Sequence, residues 1–251
     1  MLFRSEIPVS LGVEAVTFVQ DGVGAVPRQV VDKAKEVISV GDFGDVDNVG
    51  NIVLNVPSQF ASVSAALDYL KGRTIAAGTT VRIKLADGTY TLSSSIYAAH
   101  PNGDQIEIIG NEANPELCVI QASTSDGIYL PAGFRLKRLN GVKFVNTTVK
   151  SAATPYLGIL TDGGVFMKVG PKVTVDNFYY GLAARNGGKI FAPGDATNHV
   201  VVTNAGDVGI WAFNNSFVDC RYADVSYCDD YAANGLRSEE RRVGKECRSR
   251  W

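Results

Sequence analysis

The sequence predicts an all-β chain wound into a parallel β-helix, and three observations predict it. A glycine followed by Ile or Leu returns five times, at Gly127-Ile128, Gly158-Ile159, Gly181-Leu182, Gly209-Ile210 and Gly235-Leu236. The intervals of 31, 23, 28 and 26 residues are too uneven for a rigid array. They share one structural period, the mark of a solenoid in which each unit buries its apolar face on the next. The flanking segments, Val142 to Val145, Val173 to Val175 and Val200 to Thr203, are short, β-branched and broken by Gly, Asn and Asp, so they read as strands. No helical periodicity lies between them. A rod of this kind presents a ladder of side chains on its flank, a shape suited to gripping extended polymers.

Residues 6–50 form a mixed segment. Val16 to Val19 has strand character and Asp21 to Gly24 is a turn. Pro27 opens a helix-like run of Val30, Val31, Ala34, Val37 and Ile38, with Lys33, Lys35 and Glu36 on the other face. Gly41 to Gly50 is rich in Gly and Asp and reads as a linker. Gly22 and Gly24 lack the third glycine and the strand-turn-helix context of a dinucleotide fingerprint.

Residues 51–236 are expected to form the β-helix. Phe60, Val63, Leu67 and Leu70 recur at helical spacing, with Ser58 as N-cap and Gly72 as stop, which predicts a helix over 58–71. Val81, Ile83 and Leu85 alternate with Arg82, Lys84 and Ala86, a half-buried strand. Asp87-Gly88 turns the chain into Thr89 to Leu92, and Ile106 to Ile109 and Cys118 to Ile120 follow. In the glycine-marked coils, Ile128, Ile159, Leu182, Ile210 and Leu236 should stack inward. Strand alternation then aims Tyr129, Leu160, Ala183 and Trp211 outward.

Two segments now carry a resemblance. Gly24 to Gly44, through Arg28, Val30, Lys33, Glu36, Ser39, Val40, Asp42, Phe43 and Gly44, resembles the stretch leading into the β-helix of bacteriophage tailspike and tail-fibre proteins. Where that family continues with Gly-Asp-Gly and paired aspartates, this chain has Asp45 to Gly50, which leaves the first coil open. The order helix, strand, Asp87-Gly88-Thr89-Tyr90, strand, Ile108-Ile109-Gly110, then Val119-Ile120 is similar to the opening coils of the pectin-lyase-like superfamily. The resemblance implies a right-handed, single-stranded parallel β-helix whose N-terminal helix caps an otherwise exposed apolar tube end and sheet edge. It also implies a homotrimer in the virion, in contact with other tail proteins and adhering to host cell-surface polysaccharide, with depolymerase activity left open. The alternatives are a polysaccharide lyase or glycoside hydrolase of the same fold, or a purely structural rod, since fold does not fix function. No Gly-rich Asp-Phe-Ile-Phe segment or Arg-Pro-Trp element marks a pectinesterase.

The two ends depart from this pattern. Residues 237–251 resemble the in-frame translation of a common short-read sequencing adapter, and residues 1–5 the opposite adapter read from a GTG start. Both are expected to stay out of the fold, leaving 6–236 as the natural fragment. Without Arg4 and the tail's six basic and three acidic residues, the 24 Lys+Arg and 26 Asp+Glu fall to 17 and 23, moving the net charge from −2 to −6. That balance gives nucleic-acid binding no support. No run approaches the ~20 apolar residues of a membrane span. Cys118, Cys220 and Cys228 lack metal or disulfide spacing and are expected to be buried fillers. No cofactor or metal is expected.

Candidate site residues follow from the columns. Five positions before each glycine stand Ala122, Ala153, Asp176, Asn204 and Asp230. With coils about 4.8 Å apart, Asp176 and Asp230 are the carboxylates a glycosidase or lyase would use. The same residues suit corners, where Asp and Asn bond to turn backbone, and the uneven coil lengths favour that reading. Trp211, Tyr129 and Tyr179 are the candidates for stacking on sugar rings. His100 and His199 stand alone and support no triad.

Overall fold

The computed structural model describes residues 51–229 apart from 164, together with the backbone of the short strands 17–18, 28–29, 48–49, 231–234 and 248–250. The chain divides into two compact units, Met1–Asp47 and Asn48–Trp251. In the first, Thr17–Phe18 pairs antiparallel with Arg28–Gln29, across the Asp21–Gly24 segment expected to turn. Arg28 and Gln29 are therefore extended where a helical run was expected to begin; the rest of that run lies outside the described residues. The second unit starts earlier than expected, because Asn48–Val49 pairs with Thr74–Ile75.

The second unit is a parallel β-solenoid of three sheets. The first sheet holds Ile52–Val56, Val81–Leu85, Ile106–Ile109, Arg135–Asn140, Phe166–Val169, Lys189–Phe191 and Phe217–Asp219. The second holds Gly88–Thr91, Cys118–Ala122, Val142–Asn146, Val173–Asp176, Val201–Thr203, Asp224–Ser226 and Arg248–Arg250. The third holds Ile96–Tyr97, Ile128–Leu130, Leu157–Asp162, Tyr180–Arg185, Val208–Ala212 and Tyr231–Asn234. From Val81 onward the chain visits the three sheets in turn, and every neighbouring pair is parallel. Arg248–Arg250, within the segment expected to stay out of the fold, pairs with Asp224–Ser226; the other residues of that segment lie outside the described set.

Alternation builds the interior. In Val81–Leu85 the three aliphatic side chains are buried and Arg82 and Lys84 exposed, as the sequence predicts. In the third sheet Ile96, Ile128, Ile159, Leu182 and Ile210 are in direct register, all nearly inaccessible. The next partner in register is Ala233, not Leu236. The last coil advances 23 residues both from Val202 to Val225 and from Ile210 to Ala233, so its pairing is fixed before the fifth glycine is reached.

The recurring glycines have a steric cause. A Cβ on Gly181 would sit 2.3 Å from Val202 Cγ1 and 2.4 Å from the carbonyl oxygen of Gly209. Gly127 would meet the Gly158 carbonyl at 2.4 Å, and Gly158 the Val175 methyl at 2.2 Å. At these points the third sheet begins so close to the second that no side chain fits, and each glycine makes room for the next coil.

The helix runs over Val63–Leu70, five residues later than predicted at its start, with Ser62 as N-cap accepting from the Ala65 N–H. The amides of Gln59 and Phe60 both donate to the Asn55 carbonyl, so residues 57–59 form a turn in which Ser58 is exposed. Val63, Ala66 and Leu70 join the same core as the solenoid strands. His100, 3% exposed, fixes the far end: its Nε2 donates to the Leu70 and Arg73 carbonyls, and its Nδ1 accepts from the Asn102 N–H. That occupies both ring nitrogens structurally. Cys118 and Cys220 are buried and Cys228 half-buried, and burial pushes the Cys118 thiol up to about 11.

Candidate functional site

The outer face of the third sheet carries one continuous column, Tyr97, Tyr129, Leu160, Ala183 and Trp211, each in register with the next. It is the direct counterpart of the inward aliphatic column, displaced by one residue as alternation requires. Beside it Leu157 and Tyr180, in register with each other, pack into the same outer cluster. Leu160 and Ala183 face outward yet are 3% and 0% exposed, because Tyr129, Tyr180 and Trp211 pack over them. The small Ala183 leaves the space these rings occupy.

The rings form two groups. Tyr97, 57% exposed, meets Tyr129 edge-on at 5.5 Å. Tyr180 lies nearly parallel to Trp211 at 4.8 Å and 17°, and Trp211 to Phe213 at 5.5 Å and 13°. Tyr179 stands edge-on to Tyr180 at 4.9 Å. Trp211 is thus the half-buried middle of a three-ring array whose most open member is Phe213, at 50% exposure. Flat apolar faces in series are what the C–H faces of sugars stack on.

Polar groups border the stripe. Arg185 donates to Asp162 at 2.8 Å and also engages Tyr129. Asn186 donates to the same carboxylate, and Asn214 to Asn186, which makes a ladder down the corner between the third and first sheets. Burial, reinforced by a hydrogen bond to Asp207, pushes the Tyr180 phenol up to about 12. Asp126 accepts from the Leu157 N–H at 2.8 Å, and burial raises its carboxyl above the usual range. These groups hold fixed donors and acceptors around an apolar floor, a combination that orients a polyhydroxylated ligand.

Asp176, one of the two predicted carboxylates, lies elsewhere. Asp176 ends a strand of the second sheet, in register with Val145 and Thr203. It accepts from Asn204 Nδ2 at 2.8 Å and lies 3.7 Å from Lys143 Nζ. Asn177 and Asn204 take left-handed backbone, φ 61° and 53°, immediately after successive strands, which Asn tolerates at a corner. Asp176 and Asn204 therefore touch through side chains at a corner, while Ala153 belongs to the long 147–156 connection and leaves the column. Asp230 lies outside the described residues. His199 contacts the Asp195 carbonyl through Nδ1.

Two features escaped the sequence. Tyr97 was hidden because Ser95 stands where later coils have the glycine marker. A group of cations on the first sheet, Arg82, Lys137, Arg138 and Lys168, has no marker residue at all; the Arg135-Leu136-Lys137-Arg138 run was the available signal. Among the described residues no three His, Cys, Asp or Glu side chains gather to hold a metal. No protein-family model, curated protein or solved structure matches the chain.

Proposed function

We propose that this chain is part of a bacteriophage tailspike or tail fibre, a right-handed pectin-lyase-like β-helix that adheres to host cell-surface polysaccharide through the aromatic stripe of its third sheet. In this proposal the helix Val63–Leu70 caps the tube, three copies assemble into the virion rod, and other tail proteins hold it. The observation that carries the binding role is the alignment of Tyr97, Tyr129 and Trp211 in one outward column, with Tyr180 and Phe213 stacked beside it. Several large rings on one face of a rod form a patch that calls for a ligand. The resemblance of residues 24–44 and 58–120 supplies the biological setting.

The test is binding to a panel of bacterial capsular and O-antigen polysaccharides, with assembly followed by sedimentation. Trp211→Ala removes the central ring of the array. It is expected to weaken glycan binding at least about tenfold, roughly 1.4 kcal/mol, with the assembly unchanged. Loss of assembly with intrinsic glycan affinity intact would assign the stripe to a subunit interface instead.

A further inference from the structure

The first sheet holds a second surface of different chemistry. Its register breaks between Leu136, opposite Met167, and Leu139, opposite Val169, so that Lys137 and Arg138 together face the single residue Lys168. This is a β-bulge, a device that re-aims side chains. Here it brings three cations to one place on the outer face. Beside them opens a cleft of about 480 Å³ that runs from Glu107 past Lys168 to Asp195 and Asn198. These residues come from four successive coils, a span of about 14 Å along the axis. Gly170, Pro171, Pro193 and Gly194 line it with little side-chain bulk.

The cations divide by whether they are already paired. Lys137 reaches Glu107 at 3.4 Å and Thr80 at 2.6 Å, and Arg82 holds the same glutamate at 2.9 Å. Arg138 is bound to Glu112 at 2.6 Å. Lys168 has no acidic partner among the described residues, and neither do Arg135 and Lys189 in the neighbouring column of the same face. That column reads Arg135, Phe166, Lys189 and Phe217 in register. Phe166 and Phe217 are 40% and 42% exposed, and Phe166 stacks with Phe191 at 6.3 Å. Unpaired cations therefore alternate with open aromatic rings across the strands.

We propose that this bulge-centred cleft is a second glycan site, selective for an acidic polysaccharide whose sugars carry carboxylates. Lys168 meets the charges in the cleft, and on the strands beside it Lys189 and Arg135 add charge and Phe166 and Phe217 ring faces along the path of the polymer. A nucleic acid fits less well. Glu107 and Asp195 stand in the cleft beside the cations, and the whole chain carries a net charge of −2. A uronate chain carries free hydroxyls beside each charge that donate to these carboxylates, which phosphodiester oxygens cannot do. The proposal goes beyond the third-sheet site and rests on the polysaccharide reading only for the class of polymer.

The experiment titrates the full chain with polygalacturonate, alginate and hyaluronate, against neutral dextran and a single-stranded oligonucleotide, at low and raised salt. Saturable, salt-sensitive binding of at least one acidic polysaccharide is expected. Lys168→Glu should weaken it tenfold or more and Lys168→Ala less, with thermal midpoints close to that of the parent. Dextran or the oligonucleotide binding as tightly as the acidic glycan would overturn the proposal. So would an unchanged affinity in Lys168→Glu. If Trp211→Ala still abolishes capture of a bacterial polysaccharide while no acidic glycan binds, only the second site fails. If no polysaccharide of any charge binds, the polysaccharide reading fails as well.

Discussion

Truncating Leu182 to alanine is expected to destabilise the solenoid by about 2–5 kcal/mol, the range for a core cavity that cannot close. Leu182 is fully buried and stands between Ile159 and Ile210 in the inward column. Its strand is hydrogen-bonded to a neighbour on each side, so the column cannot shorten along the axis to fill the space. The Phe144 and Phe178 rings elsewhere in the core are equally inaccessible, which leaves little slack for side chains to rearrange. Urea unfolding measures the effect. A loss under about 1 kcal/mol would mean that Leu182 does not sit in a continuous stack.

The neighbouring substitution probes the opposite failure. Gly181→Ala adds one methyl where the Gly209 carbonyl and a Val202 methyl already stand within 2.4 Å of its position. The carbonyl belongs to the next strand of the ladder, so relief requires two coils to separate. Overpacking of this kind costs about 1–3 kcal/mol, or more where backbone must move. Ser95, which occupies the same place in the first coil, provides the contrast: Ser95→Gly should change stability by no more than about 1 kcal/mol, within the glycine entropy cost. Equal, small effects at Gly181 and Ser95 in thermal unfolding would separate the glycine recurrence from close approach of the coils.

These two residues also show what the sequence makes legible. A residue's side of a strand follows from alternation, so the inward placement of Ile128, Ile159, Leu182 and Ile210 and the outward placement of Tyr129 and Trp211 were readable from spacing alone. Positions counted across a corner were not. The connection between the second and third sheets takes ten residues after Asn146 but only three after Asp176. Counting back five from each glycine therefore lands on a strand at Asp176 and in a loop at Ala153, so the count does not mark one register position. The position paired with Ile210 is Ala233, 23 residues on, three short of the place where the glycine marker points. The β-bulge at Lys137-Arg138 breaks the two-residue period itself, so the cationic surface it creates had no periodic signature. Ring stacking across coils depends on which large side chains the register brings side by side. Trp211 was visible as an outward ring, but its place between Tyr180 and Phe213 was not.

The central functional claim is that polysaccharide lies on the third-sheet stripe, and Trp211 can report it directly. The chain has two tryptophans, so a Trp251→Phe background leaves Trp211 as the sole indole emitter. Titrating that protein, with Lys168→Glu added to silence the first-sheet site, with a polysaccharide it still binds should change the Trp211 emission saturably, with the same midpoint as binding measured by calorimetry. Binding seen by calorimetry with no change in Trp211 emission would place the glycan elsewhere and contradict the account.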